Sequence, residues 1–124
     1  MPQVVPPVGP YTGDFNARIS KINVATGART TVVDHLPSSQ TSAALGSLVS
    51  GVADVAFIGD TLYAVLAGAG CSHGLAGTAN IVFRVNSNGS ITPIADLSAF
   101  YKNHRVAHPE PDDFEPDGTW YSML

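Results

Sequence analysis

The sequence predicts an all-β fold, and three observations support this prediction. Only 13% of the 124 residues are charged, and glycine, proline, serine, threonine and asparagine take their place, as in chains with many turns. Valine, isoleucine, threonine and tyrosine, which favour strands, are frequent. Residues 17–36 and 79–97 each have the pattern of two strands joined by a tight turn. The hydrophobic content of 44% is enough for a packed core in one ordinary domain.

The two strand pairs are predicted β-hairpins, each with its turn residues at the centre. In the first hairpin the turn falls on Ala25-Thr26-Gly27, and in the second it falls on Asn88-Gly89. Asparagine and glycine tolerate positive φ at both central positions of a type I′ turn. We therefore expect a type I′ turn in the second hairpin.

The two hairpins match each other residue by residue. Residues 21–23 (Lys-Ile-Asn) correspond to 84–86 (Arg-Val-Asn), at an offset of 63 from position 23 to position 86. Residues 32–34 (Val-Val-Asp) correspond to 94–96 (Ile-Ala-Asp), at an offset of 62 from position 34 to position 96. One residue less in the second turn accounts for the change, so the sequence predicts a structural repeat.

A second repeat relates residues 53–66 to residues 111–124. Thr61 and Tyr63 match positions 119 and 121 at an offset of 58 from position 61 to position 119, which also pairs Asp54 with Asp112. The turn Gly59-Asp60 corresponds to Asp117-Gly118, which has the same turn chemistry in reversed order. The chain thus contains hairpin, hairpin, hairpin and the opening of a fourth.

Four-stranded antiparallel units repeated about every 60 residues are typical of β-propeller blades. We therefore expect a β-propeller fragment of about two to two and a half blades, truncated at both ends. The predicted segments are a Pro/Gly-rich lead-in (1–13), the outer hairpin of a first blade (14–36), an inter-blade loop (37–49), a complete second blade (50–97) with a Gly-rich insertion (68–79), a connection (98–110) and the start of a third blade (111–124). The connection can hold a short helix, with Asp96 or Ser98 as its cap.

Three stretches resemble a known family of bacterial β-propeller proteins, the ScyD/ScyE family. They are "SGVADVAFIGDTLYAVLAGAGCSHG", "FRVNSNGSITPIADLSAF" and "PEPDDFEPDGTWYSM". The chain also has a more distant similarity to NHL-type and SMP-30/gluconolactonase-like propellers. The resemblance implies an exported protein, secreted or periplasmic, whose parent carries a signal peptide. It supplies no catalytic residues.

Charge and hydropathy exclude two classes of partner. The net charge is −4 and the six basic residues are scattered, so no basic stripe is available to neutralise a nucleic-acid backbone. No apolar run approaches the roughly 20 residues that a membrane-spanning helix needs. We expect neither nucleic-acid binding nor a membrane span.

Asp54 and Asp112 are the candidate metal ligands. They are equivalent under the second repeat, and each lies near the start of a predicted innermost strand, which would line the channel of a propeller. A ring of acids from successive blades would suit Ca²⁺, which takes six to eight oxygen ligands. The alternative is that the two carboxylates cap turns near the channel. No other cofactor is predicted.

The acidic segment around Asp112 also contains histidines. Its members are His104, His108, Glu110, Asp112, Asp113 and Glu115. Their spacing does not match a calcium-binding EF-hand loop, and a solvated acidic loop is the simpler interpretation. Pro109 disfavours a continuous helix that would bring the two histidines to one zinc ion.

Two further groups allow a chemical and a structural interpretation. Cys71 and His73 could pair as nucleophile and base, but a glycine-rich loop around a single cysteine explains them more simply. Trp120, Tyr121 and Tyr63 could form a platform for a sugar, or they could pack between blades.

The sequence therefore favours an exported β-propeller that binds a ligand or partner without catalysis. The ligand would be a small molecule, a glycan or a protein, and the remaining blades of the parent protein would be further partners. One alternative is a metal-dependent lactonase or hydrolase of the SMP-30-like kind. A second is a structural or accessory protein in extracellular assembly or pigment biosynthesis.

Overall fold

The computed structural model describes residues 10–41, 49–108 and 116–124. The part of the chain so described is mostly β, as the sequence predicted. Its elements are β1 (Thr12–Ile22), β2 (Arg29–Gln40), β3 (Val49–Ser50), β4 (Val52–Ile58), β5 (Thr61–Leu66), a 3-10 turn (Cys71–His73), β6 (Ile81–Val85), β7 (Ile91–Asp96) and the helix α1 (Leu97–Asn103).

The strands form two antiparallel sheets. A three-stranded sheet has the order β1-β2-β3, and a four-stranded sheet has the order β4-β5-β6-β7. In both sheets the strands that follow each other in sequence are neighbours in space. The four-stranded sheet is therefore a simple meander.

The first hairpin joins β1 and β2 through a turn stabilised by Asn23. The Asn23 Oδ1 atom accepts hydrogen bonds from the backbone N–H groups of Ala25 (2.9 Å) and Thr26 (3.2 Å). Gly27 has a φ of +71°, in the left-handed region that favours glycine, and its N–H donates to the Asn23 carbonyl at 2.7 Å. The sequence placed this turn correctly.

The second hairpin joins β6 and β7, and its turn is not of type I′. A type I′ turn needs positive φ at both central residues, whereas in this turn only Gly89 (φ +81°) has it and Asn88 does not. The Gly89 N–H donates to the Asn86 carbonyl (3.0 Å), and the Asn86 N–H donates to the Ser90 carbonyl (2.8 Å). This pattern is a three-residue hairpin loop with a left-handed glycine at its end. The Asn88 side chain, which accepts from Ser90 N–H at 3.0 Å, holds the loop instead.

The two hairpins have the same register when they are aligned by the sequence repeat. The pairs Ser20↔Thr31, Lys21↔Thr30 and Ile22↔Arg29 of the first hairpin correspond to Phe83↔Pro93, Arg84↔Thr92 and Val85↔Ile91 of the second. The offsets are 63 on the leading strand (from position 21 to 84) and 62 on the returning strand (from position 30 to 92). The register shift between Ile19 and Ser20 also has a counterpart between Val82 and Phe83.

A two-residue turn connects β4 to β5. Ile58 pairs with Thr61 across it, and Gly59 at its first central position has a φ of +59°. Positive φ at the first central position alone is the pattern of a type II′ turn, which suits the twist of a hairpin. The Gly-Asp sequence of this turn therefore has a direct structural reason.

The helix α1 follows β7 immediately. Asp96, at its N-cap, accepts a hydrogen bond from the Ala99 N–H at 2.8 Å, which satisfies one of the free amides of the first turn. Of the two cap residues that the sequence offered, Asp96 caps the helix. Ser98 is buried and contacts the loop before β6 instead.

The hydrophobic core lies between the two sheets. Ile19, Val33 and Leu36 of the three-stranded sheet contact Ala64, Leu66 and Phe83 of the four-stranded sheet, and the loop residue Ala69 completes the cluster. Phe83 and Ala64 are fully buried. The sheets thus pack face to face, and removal of this apolar area from water is the main stabilising contribution that the packing makes.

The expected strand over 119–124 is not formed. Residues 116 and 117 form a turn, and residues 118–124 are not part of a strand. The segment predicted to pair with this one, including Asp112, lies outside the described residues. In the described part of the chain, no helix is long and apolar enough to cross a membrane.

Candidate functional site: a buried polar cluster at the glycine-rich loop

The loop between β5 and β6 crosses the end of the four-stranded sheet and is held by its own polar side chains. The Asn80 Oδ1 atom accepts from the Ala69 N–H at 2.9 Å, and the Thr78 hydroxyl accepts from the Gly70 N–H at 2.9 Å. Gly70 and Gly74 have φ values of +101° and +80°, which other residues rarely adopt. The glycines of this segment therefore permit a tightly folded loop.

Asp117 binds this loop from a distant part of the sequence. Only 2% of its surface is exposed, and its Oδ2 atom accepts from both the N–H (3.0 Å) and the hydroxyl (2.7 Å) of Ser72. A Cβ atom on Gly70 would overlap the Asp117 carboxylate, so glycine is required there by packing as well as by φ. Asp117 is the centre of the buried polar cluster, which we define as Ser72, Asn80, Ser98 and Asp117.

The carboxyl group of Asp117 remains ionised despite its position. Burial alone would raise its pKa, but hydrogen bonds from the Ser72 side chain and backbone and from the Ser98 side chain outweigh that effect. The positive charge of Lys102 acts in the same direction, and the net result is a pKa below the ordinary value of 3.8. The cluster therefore contains a negative charge at neutral pH that its neighbours stabilise.

Asn80 and Trp120 complete the contacts of the cluster. The Asn80 Nδ2 donates to the carbonyls of Asp117 (3.3 Å) and Gly118 (3.4 Å), and its backbone N–H donates to the Ser98 hydroxyl at 3.0 Å. The Trp120 indole N–H donates to the Asp117 carbonyl at 3.1 Å. These bonds join the loop, the start of α1 and the 116–120 segment into one unit.

A second buried pair lies nearby, between Ser39 of β2 and His73. The Ser39 Oγ and His73 Nδ1 atoms are 2.7 Å apart, with 3% and 2% of the two residues exposed. The His73 ring also contacts Tyr11, with 4.7 Å between ring centroids. His73 therefore links the glycine-rich loop to the three-stranded sheet, a contact that the sequence did not predict.

A serine, a histidine and a buried aspartate occur in this region, and the contacts given for the serine and the aspartate are structural. A triad requires the aspartate to orient the histidine, whereas the Oδ2 of Asp117 accepts from Ser72. Ser39, the serine beside His73, is almost fully buried, so a substrate carbonyl has no access to its hydroxyl. The bond between Ser39 and His73 fixes the loop against β2.

Asp54, the candidate metal ligand, uses its carboxylate to bind backbone amides. Its Oδ1 accepts from the Val55 N–H at 2.8 Å, and its Oδ2 accepts from the Met123 N–H at 2.9 Å. The bond from Met123, followed by the bond from Val55, lowers the pKa of Asp54. Asp54 lies within β4, and its carboxylate joins this strand to the 116–124 segment; the metal site stays a prediction, and the equivalent Asp112 lies outside the described residues.

The acidic and histidine-rich segment is described only in part. The Nδ1 of His104 lies 2.9 Å from the Phe100 carbonyl and its ring stacks on Phe100, with 4.2 Å between centroids. His108 is exposed. The acids at positions 110, 112, 113 and 115 lie outside the described residues. Among residues 10–41, 49–108 and 116–124, no group of three or more His, Cys, Asp or Glu side chains could hold a metal ion.

Aromatic side chains line a cavity of about 280 Å³ beside the cluster. Tyr11, His73, Trp120 and Tyr121 contribute to its wall, together with residues 49–53, of which Ser50 carries a hydroxyl group. Of the three aromatics that the sequence grouped together, Trp120 and Tyr121 lie at this cavity, whereas Tyr63 lies on β5 opposite Arg84. Tyr121 is 78% exposed, so its ring is available to a ligand.

The sequence pointed to some of these residues and missed others. Asp117 was assigned to a turn, and its burial depends on Ser72, which is 45 positions away in the chain. No local pattern reports such a contact. The dense run of glycines around Cys71 was the one signal in the sequence that the loop folds tightly.

Comparison of the chain with known protein families, with curated proteins and with solved structures finds no match.

Proposed function

We propose that the chain belongs to a β-propeller protein of the ScyD/ScyE type, exported from the cell, that binds a ligand without catalysis. One observation carries the architectural part of this proposal, namely that the two hairpins share their register at the offsets of the sequence repeat. A four-stranded antiparallel meander packed face to face on a second sheet is the arrangement of neighbouring propeller blades. The location outside the cytoplasm follows from the family resemblance alone.

The cavity beside Trp120 is the place where we expect the ligand. Aromatic faces next to backbone and hydroxyl groups suit a sugar, which presents apolar C–H faces and polar edges. Trp120 is oriented by its bond to the Asp117 carbonyl, so its ring does not have to become ordered when a ligand binds. We therefore favour a glycan over an apolar small molecule.

The single tryptophan of the chain provides the assay. Trp120 fluorescence is recorded during titration with maltohexaose, cellohexaose and chitohexaose. We expect a saturable change with at least one of the three sugars and its loss in Tyr121→Ala. A matched control is Tyr63→Ala, which lies away from the cavity and should leave the titration unchanged. No change with any sugar would contradict the glycan assignment.

The absence of catalysis has a separate test. A lactone is incubated with the protein, with and without EDTA, and acid release is followed by pH indicator. We expect no hydrolysis above the background rate under either condition. Hydrolysis that EDTA abolishes would support the alternative, a metal-dependent lactonase, and would reject the binding-only function.

The propeller architecture is tested by joining copies of residues 50–110 in tandem. A propeller closes at one copy number between about four and eight, and closure protects the exposed edges. We expect the free energy of unfolding to rise sharply at that number and the protein to be monomeric there. An open array would instead gain stability gradually with each added copy, which would contradict the propeller.

A further inference from the structure

An open cleft of about 810 Å³ lies between the two sheets, away from the polar cluster. Ile19, Ser20 and Lys21 of β1 form one side, and Val55 and Phe57 of β4 form the other. The floor of the cleft continues the hydrophobic core, because Ile19 belongs to the core cluster and Val32 and Leu62 pack against it. We call this space the inter-sheet cleft.

The β4 side of the inter-sheet cleft exposes apolar surface. Val55 is 45% exposed and Phe57 is 69% exposed, and since they are two positions apart on a strand they face the same way. A soluble protein seldom leaves an aromatic and a branched side chain exposed together beside its core. The cleft is therefore an unfilled continuation of the sheet–sheet interface.

The β1 side exposes backbone as well. β1 is the edge strand of the three-stranded sheet, so along Ile19–Lys21 one side of its backbone has no strand neighbour among residues 10–41, 49–108 and 116–124. Edge strands of this kind accept an added strand through their free N–H and C=O groups. An apolar cleft beside a free edge provides both parts of a strand-binding site, namely backbone hydrogen bonds and space for alternate side chains.

The repeat identifies the kind of strand that fits. Under the offset of 63, positions 19–21 of β1 correspond to 82–84 of β6. In the four-stranded sheet those three residues pair with β5, through Val65↔Val82, Ala64↔Phe83 and Tyr63↔Arg84. The edge that β5 occupies on β6 thus corresponds to the edge of β1 that no described strand occupies.

We propose that the inter-sheet cleft is a binding site for an amphipathic β-strand with the pattern of β5, which takes on β1 the place that β5 has on β6. The strand pairs antiparallel with β1 at Ile19–Lys21 and places its apolar side chains on Val55 and Phe57. This inference rests on the proposed propeller repeat. It adds the residues at which the next strand joins and the chemistry that selects it.

The test uses the full chain and a probe with the sequence of residues 52–66, carried on a soluble fluorescent protein. Binding is followed by fluorescence anisotropy, and the position of the probe by hydrogen exchange of the chain. We expect saturable binding and slower amide exchange at residues 19–21. A probe with Ala64→Pro is the control, because proline removes a ladder N–H from the centre of the strand.

Two variants of the chain locate the site. Phe57→Ser removes an aromatic side chain that the bound strand would cover, and we expect affinity to fall at least tenfold. Ile58→Ser is matched to it, since Ile58 is the next residue, is 71% exposed and does not line the cleft, so affinity should be unchanged. Both residues are exposed, so neither change should unfold the chain.

Several results would overturn the proposal. They are absence of binding, equal loss in both variants, and slower exchange at a place other than residues 19–21. Self-association of the chain that Phe57→Ser abolishes, measured by sedimentation without the probe, would show that a second copy occupies the cleft instead. The tandem-copy experiment tests the propeller separately from the strand site. If a closed ring forms but the probe does not bind, only the strand site is rejected. If the probe binds but no closed ring forms, only the propeller is rejected.

Discussion

Replacing Asp117 with asparagine removes a buried charge without changing the size of the side chain. The carboxylate receives hydrogen bonds from the N–H and hydroxyl of Ser72 and from the Ser98 side chain. A hydrogen bond to a charged group contributes about 1.5–3 kcal/mol, and one between neutral groups about 0.5–1.5 kcal/mol. Losing the charge across three such bonds should lower the free energy of unfolding by about 2–4 kcal/mol.

Urea unfolding followed by circular dichroism measures this difference. Asp60→Asn is the matched control, because Asp60 lies exposed in the turn between β4 and β5, and its effect should stay within about 0.5 kcal/mol. A loss below about 0.5 kcal/mol in Asp117→Asn would refute the reasoning, since the cluster would then not depend on its charge.

The pH dependence of the same pair of proteins provides a second check. The pKa of Asp117 is lowered in the folded state, so its stabilisation is complete above the ordinary pKa of 3.8. As the pH falls through 3.8 and then through the lowered value, the unfolded chain takes up the proton first and the stabilisation is lost. The difference between wild type and Asp117→Asn should therefore narrow as the pH falls from neutrality towards about 3. A difference that widened on acidification would contradict the assigned direction.

Three further predictions concern the loop and the segment that it contacts. Gly70→Ala should lower the free energy of unfolding by more than about 3 kcal/mol, because the new Cβ overlaps Asp117 and the φ is strained. Gly77→Ala is the control: its Cβ meets open space, so it should lower the free energy of unfolding by only about 1–2 kcal/mol through strain. Both are measured by urea titration, and equal effects would contradict the overlap. Asp54→Asn should speed hydrogen exchange at the Met123 amide, and adding Ca²⁺ to the wild type should not slow it; slowing by Ca²⁺ would support the metal site. Ser39 should remain unlabelled by a fluorophosphonate probe, as its hydroxyl is buried, and labelling detected by mass spectrometry would revive a nucleophilic role.

The hairpins could be predicted from the sequence because their determinants are local. Alternation of apolar residues and the turn residues Ala25-Thr26-Gly27 identify the first hairpin, and Asn88-Gly89 identifies the second. The type of the second turn was wrong, because the pattern Asn-Gly does not by itself specify which residue adopts positive φ. In the structure Gly89, and not Asn88, adopts positive φ, and its N–H donates to the Asn86 carbonyl.

The buried cluster could not be predicted because its contacts join distant parts of the chain. Asp117 reaches Ser72, and Ser39 reaches His73 across 34 positions. Sequence position gave Asp117 the ordinary role of a turn residue, and only the packing of the glycine-rich loop shows that it is buried. The metal hypothesis for Asp54 rested on the repetition of an acid in the sequence. A repeated acid is compatible with ion binding and also with hydrogen bonds to backbone amides, which Asp54 makes in the structure.

The central claim is that the two hairpins are equivalent parts of successive units, and the strand register measured by nuclear Overhauser effects tests it most directly. We predict cross-strand contacts between Lys21 and Thr30 and between Arg84 and Thr92, at the offsets of the sequence repeat. A slip of one residue in either hairpin would reverse the faces of its side chains and contradict the claim.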